Sequence, residues 1–293
     1  MRSLILIFIF CSSAVFAEVD TRQISSKPKE IYGTDHKNIG LTIANGGAGP
    51  TGILRALAED YLEKSDAKYS IAWYQDISTN SLKHLKNGTI DVALVYEKSE
   101  GDVAQKEGWA TNYAIIFNDH FLIVGPKKNP ANLAESDSPT EAFLKISDFG
   151  KKNSGKIFLS RSDESGTNIK EKSIWRSAKL EPWSGNESWY FKYPTFPKTA
   201  LLYVDQHELY SITDWGTWLS SKGSLKNSKI YLSGGEDLLN PCFALLGKKP
   251  RKEALEFLEY LKSPRAQKLI ANFGKDKHGG LAFFTEAAQM DFK

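Results

Sequence analysis

Ser160-Arg161-Ser162-Asp163-Glu164-Ser165-Gly166-Thr167 follows the apolar run Ile157-Phe158-Leu159 and precedes a segment of helical character, Asn168 to Ala178. The order is strand, tight polar loop, helix. Such a loop gathers backbone N–H groups, hydroxyls and a guanidinium at the positive end of a helix, which is how an anion receptor is built. Arg161 offers a planar fork of donors that stays charged at every relevant pH. Ser160, Ser165 and Thr167 supply hydroxyls, and Gly166 lets the backbone come close to a ligand. Asp163 is a carboxylate acceptor for a ligand that carries a proton. An ordinary helix cap uses the same residues: Ser165 or Thr167 caps the helix and Arg161 pairs with Asp163. The loop alone leaves both readings standing.

A second unit of this kind lies upstream. A strand, Ile39 to Ala44, enters the loop Asn45-Gly46-Gly47-Ala48-Gly49-Pro50-Thr51-Gly52, and a helix follows with Ile53, Leu54, Leu57, Ala58, Tyr61 and Leu62 at helical spacing. Backbone N–H groups at Gly47 and Ala48 and the hydroxyl of Thr51 are its candidate contributions. No Gly-Lys-Ser/Thr follows, which excludes a mononucleotide P-loop, and the glycine spacing is not a dinucleotide fingerprint.

Outward from these loops, Ile71 to Tyr74, Tyr113 to Phe117, His120 to Val124 and Ile230 to Ser233 read as strands. Ile90 to Val95 is a continuous apolar run, expected of a buried parallel strand. Asn80 to Lys86 reads as a helix stopped by Asn87-Gly88. Gly101 to Gly108, Ala142 to Phe149, Lys252 to Lys262 and Pro264 to Phe273 read as further helices. Ile169, Ile174 and Trp175 are the expected inward residues of the helix after the opening loop. Pro194 and Pro197 argue against a regular helix in the aromatic stretch 181–200. Thr213 or Asp214 is a credible N-cap for Trp215 to Ser220. Gly125 to Pro130 breaks the chain, and Leu239 to Leu246 reads as a return crossing. Gly274 to Lys293 reads as a polar tail with an apolar patch at 281–284. Alternating strands and helices predict an α/β fold with parallel sheets. Crossings near residues 124 and 238 predict a discontinuous first lobe, 38–123 with 239–293, and a second lobe, 124–238. Ligands in such folds sit at the carboxyl ends of strands, facing the crevice, where both loops belong.

The chain has 293 residues, 41% hydrophobic and 25% charged, with a net charge of +3. Lys and Glu are interspersed, so no nucleic-acid partner is indicated. Arg2, the apolar run Leu4 to Phe10 and the small-x-small ending at Ala17 predict a signal peptide over 1–17, cleaved between Ala17 and Glu18, with a flexible leader over 18–37. An exported, extracytoplasmic protein follows, secreted or periplasmic. Cys11 falls in the signal, and Cys242 alone forms no intramolecular disulfide. Asn87-Gly88-Thr89 and Asn186-Glu187-Ser188 are glycosylation sequons that matter only in a eukaryotic host. There is no Gly-x-Ser-x-Gly, no His-Glu-x-x-His and no metal-spaced Cys/His cluster. His84, His120, His207 and His278 are scattered. The chain reads as a non-enzyme with no metal and no cofactor. Trp183, Trp189, Tyr190 and Tyr193 read as core packing in preference to a sugar-stacking surface.

The loop Ser160-Arg161-x-Asp163-x-Ser165-Gly166-Thr167 is similar to the Ser-Arg-x-Asp-x-Ser-Gly-Thr loop of the extracytoplasmic tungstate-binding proteins of ABC transporters. These are a branch of the type II periplasmic-binding-protein fold. Gly88 to Val95, Asn118 to Pro126, Tyr210 to Thr217 and the Leu239-Asn240-Pro241 crossing resemble that family too, so the resemblance spans about residues 39 to 274. It implies a two-lobed clamshell that closes on a tetrahedral oxyanion, tungstate or molybdate first, with Arg161, Ser165 and Thr167 among the contacts. It implies no catalysis, a monomer, and an ABC transporter permease as the onward partner. Two departures mark the other half of the site. The family's threonine and serine run after the first strand is replaced by residues 45–52, closer in flavour to phosphate-binding relatives. The family's small-residue helix start is replaced by Tyr193-Pro194-Thr195-Phe196-Pro197-Lys198-Thr199, whose Thr199 is the candidate contact there. Phosphate or another oxyanion is the alternative ligand, and a secreted non-catalytic interaction protein that keeps the fold without the ligand is the other alternative.

Overall fold

The computed structural model describes residues 27–96 and 98–287. The expected signal peptide, its cleavage site and residues 18–26 of the expected leader lie outside the described residues. Elements follow in the order β1 (Glu30–Tyr32), β2 (Ile39–Asn45), α1 (Ile53–Lys64), β3 (Ser70–Gln75), α2 (Ser78–Lys86), β4 (Val92–Val95), α3 (Lys98–Lys106) and β5 (Ala110–Pro126). Then come α4 (Pro139–Lys152), β6 (Phe158–Ser160), α5 (Gly166–Ser177), β7 (Tyr190–Lys192), α6 (Pro197–His207), β8 (Ser211–Asp214) and α7 (Trp215–Ser221). The chain ends through β9 (Ser228–Ser233), β10 (Leu239–Gly247), α8 (Lys252–Lys262), α9 (Pro264–Asn272) and β11 (Thr285–Glu286).

Strand β5 organises the molecule. Its first half pairs antiparallel with β10, His120 opposite Leu239 and Asp119 opposite Asn240. Its second half pairs with β8 and β9, starting at Phe121 opposite Asp214. The exchange of partners between His120 and Phe121 carries one strand across both halves. The two pieces expected over 113–124 are therefore one strand. Gly125 and Pro126 do not break the chain; they still pair with Lys229 and Ser228 of β9.

The sheet order is β1-β3-β2-β4-β10-β5-β11. Strand β2 is parallel to β3 and β4, and β6 is parallel to β7. The expected all-parallel sheets are corrected by β5 and β10, which are antiparallel to each other and to their other partners. A chain that crosses to the second half and returns must run the opposite way on its return. The architecture is a two-lobed α/β fold whose halves are joined through β5 and β10.

Each half has its own apolar core. Leu41, Ile43, Trp73, Val92, Phe117, Phe257 and Leu261 belong to a cluster in the first half. Phe143, Phe158, Trp175, Trp189, Tyr190 and Ile212 belong to one in the second. Burying one such side chain contributes about 2 kcal/mol. Trp175 packs on Phe143 at 4.4 Å between ring centroids, and Phe158 stacks on Tyr190 at 5.9 Å. The core reading of Trp189 and Tyr190 holds, and Trp183 packs against the same cluster.

Several local expectations are corrected. Glu30–Tyr32, within the expected leader, is an edge strand on β3, and Tyr32 is buried because its ring joins the first core. Pro197 begins α6 instead of preventing it, since a proline at the first helical position loses no hydrogen bond. Helix α4 starts earlier than expected, at a capping box between Ser138 and Glu141. Ile169 is exposed; Ile174 and Trp175 take the inward positions. The tail is docked as far as residue 287: Phe283 and Phe284 are buried, and Thr285 pairs with Asn118.

Candidate functional site

The end of β6 and the start of α5 carry the loop 160–167 into the crevice between the halves. Ser165 has extended backbone and caps α5, its Oγ accepting from Asn168 N at 3.5 Å. Ser165 N donates to Asp163 Oδ1 at 3.1 Å. Ser162 and Glu164 hold φ of +44° and +59°, a left-handed conformation that costs about 1 kcal/mol for each non-glycine residue. Packing below the loop holds that shape. Glu171 is buried and accepts from Ser160 Oγ at 2.6 Å, Tyr190 OH at 2.6 Å, Asn168 Nδ2 at 3.2 Å and Trp175 Nε1 at 3.2 Å. Burial pushes its carboxyl up to about 7, against the pull of those four donors. Asn168 in turn accepts from Glu164 N at 3.2 Å.

This frame decides the role of each expected residue. Ser160 faces Glu171 and is 1% exposed, so it braces the loop and does not line the crevice. Arg161 lines the crevice. Its Nε donates to Thr195 O at 2.8 Å, Nη1 to Thr167 Oγ1 at 3.3 Å and Nη2 to Asp163 Oδ2. Three of its five N–H groups are used this way, which leaves two to reach a ligand. Asp163 is the partner that aims Arg161. Ser165, Gly166 and Thr167 line the crevice beside it. Both parts of the plain-cap geometry are therefore present, and they orient the same groups toward the opening.

The other loop contributes less. Asn45 is fully buried; its Nδ2 donates to Leu94 O and its Oδ1 accepts from Gly49 N, both at 2.9 Å. A 3-10 turn over Gly49–Thr51 follows, and Gly52 at φ +92° starts α1. A Cβ at Gly49 would collide with the Trp73 ring. Gly46 and Gly47 line the crevice. The Ala48 side chain is 1% exposed and packs in the first core, so any contribution of this residue is through its N–H. The Thr51 hydroxyl donates to Ala48 O at 2.6 Å and closes the turn. Thr199 points to solvent on the first turn of α6; Phe196 and Pro197 are the residues of that segment on the crevice.

Six further lining residues were not expected: Ile77, Ser78, Tyr96, Asp119, Asp214 and Asn240. Ile77 and Ser78 bring in the N-terminus of α2. Asp214 was legible as a cap, and it does cap α7, accepting from Thr217 N at 2.7 Å and Thr217 Oγ1 at 2.6 Å. Asp119 had a signal that was passed over: a carboxylate between two apolar strand pieces is a buried charge in need of a reason. Its Oδ1 accepts from His120 N at 2.7 Å, and the backbone of Trp215 and Gly216 at the start of α7 lies near enough to favour its charged form. Burial, then the charge of Asp214, holds the Asp119 carboxyl well above the usual range. Burial raises Asp214 too, while Thr217 and Arg161 pull it down. Burial alone lowers His120. Arg161 is the one cation lining the crevice among the described residues, facing the two carboxyls Asp119 and Asp214.

Asn87 and Asn186 are exposed on loops. Among the described residues no group of three or more His, Cys, Asp or Glu could hold a metal ion, and no helix is long and apolar enough to cross a membrane.

The model of the PBP superfamily domain matches residues 32–265. The tungstate-binding protein TupA of Peptoclostridium acidaminophilum is 32% identical over 216 residues, covering 70% of this chain and 71% of that protein. The solved tungstate-binding protein TupA of Desulfovibrio alaskensis is 26% identical with a TM-score of 0.70, covering 84% of this chain and 98% of that one. A solved periplasmic protein is 34% identical with a TM-score of 0.80, covering 88% of this chain and 99% of that one. The chain belongs to the PBP superfamily of solute-binding proteins and, within it, resembles the tungstate-binding proteins of ABC transporters.

Proposed function

We propose that this protein is an exported solute-binding protein that holds a tetrahedral oxyanion, tungstate or molybdate first, in the crevice between its lobes. The lobes meet where β5 changes partners, residues 30–120 with 239–287 forming one and residues 121–238 the other. The observation that carries the reading is Arg161, side chain 7% exposed, braced by Asp163 and the Thr195 carbonyl, with two free N–H groups beside the Ser165 and Thr167 hydroxyls. Tungstate and molybdate are fully deprotonated at neutral pH and need donors. This corner offers donors from a guanidinium, two hydroxyls and the N-terminus of α5. Ser78 and the backbone at Gly46–Gly47 face it from the first lobe. The similarity to tungstate-binding proteins supports the same ligand.

In this reading the protein has no catalytic role, works outside the cytoplasm and passes its ligand to an ABC transporter permease. Phosphate is the second reading. The carboxyls Asp119 and Asp214 on the lining favour it, because monohydrogen phosphate carries a proton for an acceptor. Isothermal titration with tungstate, molybdate, sulfate and phosphate tests the class. Tungstate or molybdate binding in the micromolar range or tighter is expected. No oxyanion binding tighter than about 1 mM, roughly −4 kcal/mol, overturns it.

A further inference from the structure

The charges around the crevice do not balance for a bound dianion. Arg161 carries one positive charge, and Asp163 is already paired with it. Asp119 and Asp214 line the same space, 3% and 6% exposed, with no second cation among the described lining residues. Both carboxyls lie by the N-terminus of α7: Asp214 caps it, and Asp119 is close to the backbone of Trp215 and Gly216. A deprotonated oxyanion placed against two ionised carboxylates and one arginine would meet net repulsion in a desolvated site. A proton is the smallest positive charge that corrects the deficit. Two carboxyls sharing a site hold a proton between them as a pair.

We propose that the crevice takes up its oxyanion together with one proton, held by the Asp119–Asp214 pair and donated by Asp119 to a ligand oxygen. The inference rests on the oxyanion-binding reading above. Asp119 is the donor because its hydrogen bond from His120 N uses Oδ1 alone, whereas Asp214 accepts from Thr217 through both oxygens and feels the Arg161 charge. The titratable and charged groups around Asp119 are Asp214 at the β8–α7 junction, Tyr96 after β4, Cys242 on β10 and Arg161 with Asp163 on the loop after β6. His120 sits beside it on β5 and stays neutral, since burial lowers it. None of these but Arg161 supplies a positive charge near pH 7. The raised Asp119 carboxyl agrees with this assignment. The consequence for selectivity is direct. Tungstate, molybdate and sulfate need the proton that Asp119 carries, whereas monohydrogen phosphate brings its own.

The test is titration calorimetry of the full mature chain with sodium tungstate between pH 7 and pH 9, in two buffers of different ionisation enthalpy. Proton uptake per tungstate should grow from a small value near pH 7 toward one at the alkaline end, as Asp119 ionises in the free protein but not in the complex. At the alkaline end, affinity should fall about tenfold per pH unit, the slope of a single linked proton. Asp119→Asn should abolish the uptake and flatten the slope, because an amide is a fixed donor that does not titrate. The wild-type proton count needs no variant, so it decides the matter even if Asp119→Asn fails to fold. Tungstate binding with no proton uptake and no pH slope overturns this inference and leaves the proposed function standing. Absence of binding to every oxyanion at every pH overturns both.

Discussion

The two loops that face the crevice are built in opposite ways. Residues 160–167 present side chains, and a polar frame beneath them, Glu171 with Ser160, Asn168, Tyr190 and Trp175, fixes their directions. Residues 45–52 present backbone, and apolar packing beneath them fixes its path, with Gly49 against Trp73 and Ala48 in the core. The first loop therefore depends on hydrogen bonds that must all be satisfied, the second on close packing around a missing Cβ. A ligand held between them draws charge and direction from one side and little more than close approach from the other.

Substitutions can break this contrast. The largest effect is expected at Arg161. Arg161→Ala removes the crevice cation and should weaken tungstate binding more than 100-fold, about 3–5 kcal/mol, read by calorimetry. Retention of wild-type affinity would mean that the first loop is only a helix cap. Next is Glu171→Ala, which leaves four buried donors without their acceptor and should cost about 3–4 kcal/mol in urea unfolding. Tungstate affinity should fall with it, because the loop loses its brace. Gly49→Ala forces a methyl group into the Trp73 ring and should cost about 2–3 kcal/mol of stability, visible as a lower Tm.

The frame also predicts a pH effect. Glu171 has its carboxyl raised to about 7, above an ordinary value near 4.5. Between those two values the folded state holds more protons than the unfolded state, so stability should fall as pH rises from about 4.5 to about 7 and then level off. Urea midpoints across pH 4.5 to 8 measure it. A midpoint that rises over this window contradicts the burial of Glu171. The smallest effect belongs to Gly47→Ala. No atom lies within 4 Å of a Cβ there, so stability should change by less than about 0.5 kcal/mol. Any loss of ligand affinity in that variant then reports contact with the ligand and not a change in the fold.

Much of this was legible in the chain. The strand–loop–helix reading of 157–178 holds, with Ser165 as cap and Arg161, Gly166 and Thr167 on the crevice. A cap, a glycine and an arginine state their roles within a few residues, because the hydrogen bonds they make are local. Ser160, Thr51 and Thr199 turn their hydroxyls away from the crevice for a related reason. A hydroxyl or an N–H shows that a donor exists, while its direction depends on neighbours distant in sequence. Thr51 turns back to Ala48, and Ser160 turns down to Glu171. Pro197 misled in the other way, since it reads as a helix breaker until its place at the first helical position is known.

The sequence by itself determined the two Gly- and Ser-bearing loops, the strand–helix alternation around them and the resemblance to the tungstate-binding family. These follow from local turn chemistry and from hydrophobic period. Only the tertiary structure decided that β5 is one strand crossing both halves, that Asp119 therefore reaches the crevice, and that the end of β8 brings Asp214 beside it. That carboxyl pair joins residues far apart in the chain. Its shifted protonation comes from burial and mutual repulsion, properties that exist only once the strands have paired.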